Sequence, residues 1–190
     1  MEERKIPTTR QLKEELLHER KKKEYRRTLR STVYILLVVA AVSVLVATLF
    51  LPVLQVTGTS MEPTLETGQI VVAVKNVEFE RGDVIAFYYN NKVLLKRVIG
   101  LPGDKIVINA DGNVSVNGEA LEEPYLSEKS LGQTDIEYPY QVPDGKIFVM
   151  GDHRATSVDS RTSAVGCIAD EFIVGKVVFR VWPTNRFGEV

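Results

Sequence analysis

From Val33 to Leu54 the chain reads VYILLVVAAVSVLVATLFLPVL, and no residue in this run is charged. About 20 apolar residues in a helix cross the hydrocarbon core of a bilayer, so the segment is long enough to span one. It is too long, and begins too far from Met1, for the apolar region of a cleavable leader, which occupies only about 7–15 residues. The pattern predicts a retained membrane span, with Pro52 near its far end, where a helix can stop at little cost. Ahead of it, Thr8 to about Arg30 is rich in Glu, Lys, Arg and Leu and predicts a helical tail.

Beyond the span the periodicity changes. Gln69–Lys75, Asp83–Tyr89, Lys92–Ile99, Lys105–Asn109, Asn113–Val116, Lys146–Met150 and Val174–Trp182 are short stretches rich in Val, Ile, Phe and Tyr, punctuated by Gly, Asn, Asp and Pro. Asn90-Asn91 and Asp111-Gly112 suit tight hairpin turns, because Asn and Gly tolerate positive φ. No helical period of comparable length follows residue 60, whereas residues 117–145 are polar and broken by Pro and Gly. The fold class expected is mainly β: an antiparallel, barrel-like or sandwich-like domain carrying one amino-terminal transmembrane helix and a helical cytoplasmic tail. The organisation expected is a basic tail over 1–31, a span over 32–54 and a β-rich domain over 55–190, with 117–145 as an irregular insertion.

Charge adds a direction to this layout. Residues 1–30 hold eleven Lys/Arg against six Asp/Glu, a net +5, and the rest of the chain holds thirteen against nineteen, a net −6. Arg20 to Lys23, Arg26, Arg27 and Arg30 crowd one flank of the span, and the next basic residue on the other side is Lys75. The positive-inside tendency places the amino terminus in the cytoplasm and the β-domain outside, anchored at the cell membrane in a single pass. A basic tail before an acidic body suits a lipid surface and argues against nucleic acid as a partner. Cys167 is the only cysteine and there are two histidines, so neither an internal disulfide nor a zinc-ligand spacing exists; no metal or other cofactor is expected.

Two residues stand out chemically. Lys96 lies in an apolar strand, with Leu94 and Val98 on its own face. Burial there would favour the uncharged amine. To serve as a base near neutral pH, a lysine must fall from its ordinary value to about 7–8, a difference of about 4 kcal/mol that only a water-poor site supplies. A lysine extending its amine from a strand edge into water is the other reading of the same pattern. Ser60 sits in a turn between Gly58 and Pro63, where a hydroxyl can be exposed beside free backbone N–H groups. The six residues after Leu54 extend no more than about 20 Å, which keeps that hydroxyl near the membrane surface.

A serine–histidine–aspartate arrangement finds no support. Asp152 and His153 are adjacent, so in extended chain they point to opposite sides, and His18 lies across the membrane. That leaves Lys96 as the best base. The segment Gly151–Arg161 (GDHRATSVDSR) follows an apolar strand and is dense in Asp, Arg and Ser, which suits an ion-paired scaffold; a solvated surface loop has the same composition.

In order along the chain come the span, Ser60-Met-Glu-Pro-Thr-Leu, Arg81-Gly-Asp-Val, Lys96-Arg-Val-Ile-Gly-Leu-Pro-Gly-Asp, and Gly151-Asp-His-Arg-Ala-Thr-Ser-Val-Asp-Ser-Arg. This series resembles the bacterial type I signal peptidases, membrane serine proteases with a Ser/Lys dyad, in their compact Gram-positive form. The resemblance extends from the span to about Trp182. It implies a membrane-anchored endopeptidase that removes signal sequences from exported preproteins after small residues of the A-x-A kind. It implies Ser60 as nucleophile, Lys96 as general base, Ser157 as the hydroxyl that hydrogen-bonds and orients the lysine, and Asp159 with Arg161 as a scaffold ion pair, with Asp152 in the same shell. Val56, Met61 and Leu95 match its apolar substrate pocket, although all three also suit ordinary core packing. Two positions depart from the family pattern: His153 stands where Asn is usual, and Gly58 replaces a hydroxyl residue that donates to the oxyanion in some relatives. The oxyanion would then rest mainly on the Ser60 backbone N–H. A self-cleaving repressor-type Ser/Lys protease shares the chemistry but carries a DNA-binding module where this chain has its span. A membrane-anchored binding protein without activity is the alternative of another class, and the intact Ser60, Lys96, Ser157 and Asp159 speak against it.

Overall fold

The structure, a computed structural model, describes residues 9–190; the first eight residues of the expected basic tail lie outside the described residues. The chain divides near Thr48 into a helical unit and a β unit. The helix α1 runs unbroken from Thr9 to Phe50, 42 residues. Its apolar part from Val33 is about 27 Å long at the helical rise, close to the thickness of a bilayer core. Leucine and valine side chains are exposed all around that part, Leu36 at 63% and Leu37 at 60%. Such a helix is long and apolar enough to cross a membrane.

α1 ends four residues earlier than the sequence pattern suggests. Pro52 has no N–H to continue the helical ladder and disfavours the helical conformation at the residue before it. The Pro52 carbonyl instead accepts the Ala73 N–H, and the Phe50 carbonyl accepts that of Lys75. Val53–Gln55 is then a strand, β1, paired with β2 (Ile70–Val74). The outer end of the expected span thus belongs to the β-domain.

The remaining strands are β3 (Val84–Tyr89), β4 (Lys92–Gly100), β5 (Lys105–Ile108), β6 (Val114–Val116), β7 (Glu119–Ala120), β8 (Tyr140–Gln141), β9 (Lys146–Met150), β10 (Ile168–Ala169), β11 (Ile173–Trp182) and β12 (Gly188–Glu189). They form two antiparallel sheets. The larger has the order β1-β2-β11-β3-β4-β9-β10, with β12 on β11; the smaller has the order β7-β6-β5-β8. The turn Asn90-Asn91 joins β3 to β4 with φ of 46° and 60°, as a tight hairpin with right-handed strand twist requires. β7 and β8 add only two residues each to the insertion 117–145, which is otherwise irregular.

Three apolar clusters fill the domain. One of them, Val56, Met61, Leu65, Val71, Ala73, Val84, Ala86, Val174 and Val177, lies beneath the turn that carries Ser60. Leu54 of β1 and Leu95 of β4 both pack on it. β1 and β4 are far apart in the sheet order, so the large sheet must curl to bring them over one cluster. That curl creates the cleft described next.

Candidate active site

Each side chain of the site is aimed by a rigid neighbour. β1 leads into Val56, whose N–H donates to the Gln69 carbonyl and whose carbonyl accepts the Gly68 N–H. The chain then turns at Gly58, where φ is +84°, a conformation that side-chain-bearing residues adopt only with strain. Thr67 Oγ1 donates to the Gly58 carbonyl at 2.8 Å and braces the turn. Its internal bonds run from the Glu62 N–H to Thr59 and from the Leu65 N–H to Met61, and neither uses the Ser60 N–H.

Lys96 enters from β4, opposite Ile85 of β3. It is 3% exposed, and its Nζ lies 2.6 Å from Ser60 Oγ. Burial pulls the amine from its ordinary 10.5 down to about 8; Asp159 raises it, Arg161 lowers it and Asp152 raises it, all by smaller amounts. The strand-edge alternative, an amine in water, is not what this residue adopts. At pH 7 roughly a tenth of such an amine is uncharged, against well under a thousandth at the ordinary value.

The loop after β9 closes the site from behind. Asp159 and Arg161 are both fully buried and joined by two bonds, Nε to Oδ1 and Nη2 to Oδ2, each 2.8 Å. Asp159 Oδ2 also accepts the Gly151 N–H at 2.9 Å, and Arg161 Nη1 donates to the Leu131 carbonyl at 2.7 Å. Asp152 is paired the same way with Arg97, at 2.9 and 2.6 Å, and accepts from Thr64 Oγ1 at 2.5 Å. The His153 N–H donates to the Ser60 carbonyl at 3.0 Å, so the loop and the serine turn are bonded directly. Gly151 sits where the two meet: a Cβ there would fall on Ser157 Oγ and on the Ser60 carbonyl.

One expected contact is not formed. Ser157 Oγ is buried without a hydrogen-bond partner among the described residues, whereas the Lys96 amine is bonded to Ser60. Ser157 lays its hydroxyl against Gly151, and the bond that the Lys96 amine makes is the 2.6 Å one to Ser60.

Three further residues, Arg97, Arg154 and Glu123, belong to the scaffold. Arg97 bonds Asp152 and lies 3.9 Å over the Tyr125 ring. Arg154 and Glu123 form a fully buried pair that ties the insertion to the loop, and Arg154 Nε donates to the Gly151 carbonyl at 3.1 Å. An arginine inside an apolar strand is itself a signal, since buried charges are almost always paired. Nothing local marks Glu123, because its partner is 31 residues away.

In front of Ser60 lies a cleft of about 310 Å³, lined by residues 54–58, Ser60, Met61 and 92–96. Two backbone edges face it. β1 is the end of its sheet, and β4 pairs with β9 only from Arg97 onward, leaving 92–96 paired on one side alone. Val56 and Met61 are 4% and 2% exposed and belong to the core cluster, with Leu95 packed against it; all three also line the cleft.

A buried amine against a serine hydroxyl, beside a cleft with open strand edges, is the equipment of a peptidase. The family model for signal peptidase, peptidase S26, matches residues 27–182. The chain belongs to this family. It is 40% identical to signal peptidase I of Bacillus licheniformis over a 153-residue alignment covering 74% of this chain and 81% of that protein. It is likewise 40% identical to signal peptidase IB of Staphylococcus aureus strain COL over 151 residues, 68% of this chain and 77% of the other. A solved structure of a signal peptidase I from Enterococcus faecalis V583 is 30% identical and aligns with a TM-score of 0.46 over 53% of this chain and 97% of that one. Membership of peptidase S26 makes the chain a serine endopeptidase.

Proposed function

We propose that this chain removes amino-terminal signal peptides from exported preproteins, with Ser60 as nucleophile and Lys96 as general base. The observation that carries this reading is the 2.6 Å contact between the Ser60 hydroxyl and a buried lysine amine lowered to about 8. The names of the relatives, signal peptidase I and IB, supply the substrate class. α1 anchors the chain in the bilayer, with the basic tail in the cytoplasm and the β-domain outside, so that enzyme and substrate meet at one membrane surface.

The substrate lies extended in the cleft and hydrogen-bonds to the open edges of β1 and β4, as an added strand does. Val56, Met61 and Leu95 form the apolar wall against which the small side chains next to the scissile bond pack. Uncharged Lys96 takes the Ser60 proton as Oγ attacks the carbonyl carbon, and the negative charge on the carbonyl oxygen is met by the Ser60 N–H. The lysine ammonium gives that proton to the departing amine as the peptide bond breaks, leaving the signal peptide esterified to Ser60. Lys96, neutral again, takes a proton from a water that attacks the ester. The signal peptide departs and Ser60 regains its proton.

The test is to incubate the full-length chain in detergent with a labelled preprotein whose signal ends in A-x-A, and to sequence the new amino terminus. The expected product begins directly after the last small residue. An intact preprotein, or a cut elsewhere, would remove the proposal.

A further inference from the structure

A second cleft, of about 520 Å³, lies on the other side of the serine turn and is lined by Glu62, Pro63, Glu66, Thr67, Ser127 and His153. It shares no lining residue with the first cleft, yet two bonds connect them. The His153 N–H donates to the Ser60 carbonyl at 3.0 Å, and Thr67 Oγ1 donates to the Gly58 carbonyl at 2.8 Å. The turn over residues 58–67 is therefore the wall between the two, and Ser60 stands at its crest.

This placement has a consequence for a bound chain. The residues before the scissile bond occupy the first cleft, where the acyl half stays attached to Ser60. The residues after the bond must leave on the far side of that serine, where the second cleft lies. The chemistry of the two clefts differs. The first combines an apolar wall of Leu54, Val56, Met61 and Leu95 with the amines of Lys92 and Lys96 and has no carboxylate, whereas the second presents two carboxylates, hydroxyls and an imidazole and has no lysine or arginine. Glu66 is ion-paired with Arg186 at 2.5 Å, which leaves Glu62 as the one lining carboxylate without an ion pair among the described residues. Glu62 is half-buried, so its charge is screened less than that of a fully exposed side chain. His153 lines the same cleft, and its Nδ1 is buried with no partner among the described residues.

We propose that this second cleft binds the first residues of the mature protein, and that Glu62 makes it favour a basic over an acidic residue at the second position after the cleavage site. The proposal rests on the signal-peptidase reading and adds a specificity to the leaving side of the same reaction.

Three preproteins, identical except for Lys, Asn or Asp at that second position, test it with the full-length enzyme. For the wild type, kcat/KM should fall in the order Lys, Asn, Asp, with roughly a 5- to 10-fold span, since a partly exposed charge pair changes binding by up to about 5-fold for each sign. Glu62→Gln should collapse the span to within about 2-fold, and Glu62→Lys should reverse it. The quantity read is the ratio between substrates within each variant, so a general loss of activity does not enter. A Lys-to-Asp ratio that is the same in wild type and both variants, or is near unity in the wild type, overturns the proposal while leaving the peptidase reading intact. Failure of the wild type to cleave any of the three would sink the peptidase reading itself.

Discussion

Lys96→Met is expected to lower kcat at least about 10³-fold and, at pH 7, to give a protein about 3 kcal/mol more stable than the parent. Both effects have one origin. Burial lowers the amine from 10.5 to about 8, so in the unfolded chain the lysine binds its proton more tightly than in the folded one. Below about pH 8 both states are protonated and the folded state bears the whole cost of a buried ammonium. As pH rises from about 8 to 10.5 the folded amine is already neutral while the unfolded one is still losing its proton, and wild-type stability climbs relative to the variant. The stability gap should therefore be constant below pH 8, narrow above it and close near 10.5. Methionine fills a similar volume without the charge. Ser60→Ala should lose the same activity without the gain in stability, because it leaves the amine buried. Lys96→Arg should be inactive too, since guanidinium keeps its proton throughout this range. Urea unfolding at several pH values, beside a preprotein assay, measures all of this. A wild type that matches Lys96→Met in stability at pH 7 would contradict the account.

Asp159→Asn should be the most destabilising conservative change in the scaffold. Asp159 is fully buried and takes two bonds from the Arg161 guanidinium, one from the Arg161 N–H and one from the Gly151 N–H. Asparagine keeps an acceptor for Gly151 but strands a buried guanidinium, which typically costs about 3–5 kcal/mol. The same change has a kinetic signature. Asp159 raises the Lys96 amine and Arg161 lowers it, so removing the carboxylate leaves Arg161 opposed only by the smaller effect of Asp152. The lower-pH limb of kcat/KM should then move below about 8 even as kcat falls. A variant with a lower denaturation midpoint and an unmoved limb would mean that the ion pair is purely structural and does not act on the lysine.

The β-domain was readable from sequence wherever a strand was long enough to show its period. Lys146–Met150 has the predicted bounds, and β2, β3, β4, β5, β6 and β11 lie within a residue or two of theirs. The strands that escaped are β1, β7, β8, β10 and β12, of two or three residues, too short for alternation to show; β6 is no longer than β1, but the Asp111-Gly112 turn before it marks its start. β1 was further disguised because VLQ continues an apolar run; only its pairing with β2 separates it from the span. In the site, Ser60 and Lys96 are 36 residues apart and are in contact. Their motifs singled them out, but the burial that distinguishes a base from a strand-edge lysine depends on the curl of the sheet. Asp159 and Arg161, two residues apart, were visible as a local pair. Arg97 with Asp152 and Arg154 with Glu123 span 55 and 31 residues, and a pairing at such separations leaves no periodic trace. The unpartnered Ser157 hydroxyl lies in the tight packing around Gly151, a placement that composition does not reveal.

Every step of the proposed chemistry needs the Lys96 amine to lose its proton within reach of neutral pH. Carbon-13 labelling of the lysine side chains and NMR titration of the detergent-solubilised chain would follow that amine directly, with Lys96→Met identifying its signal. The account predicts a midpoint at about 8. A Lys96 signal that titrates near 10.5, with the other lysines, would contradict it.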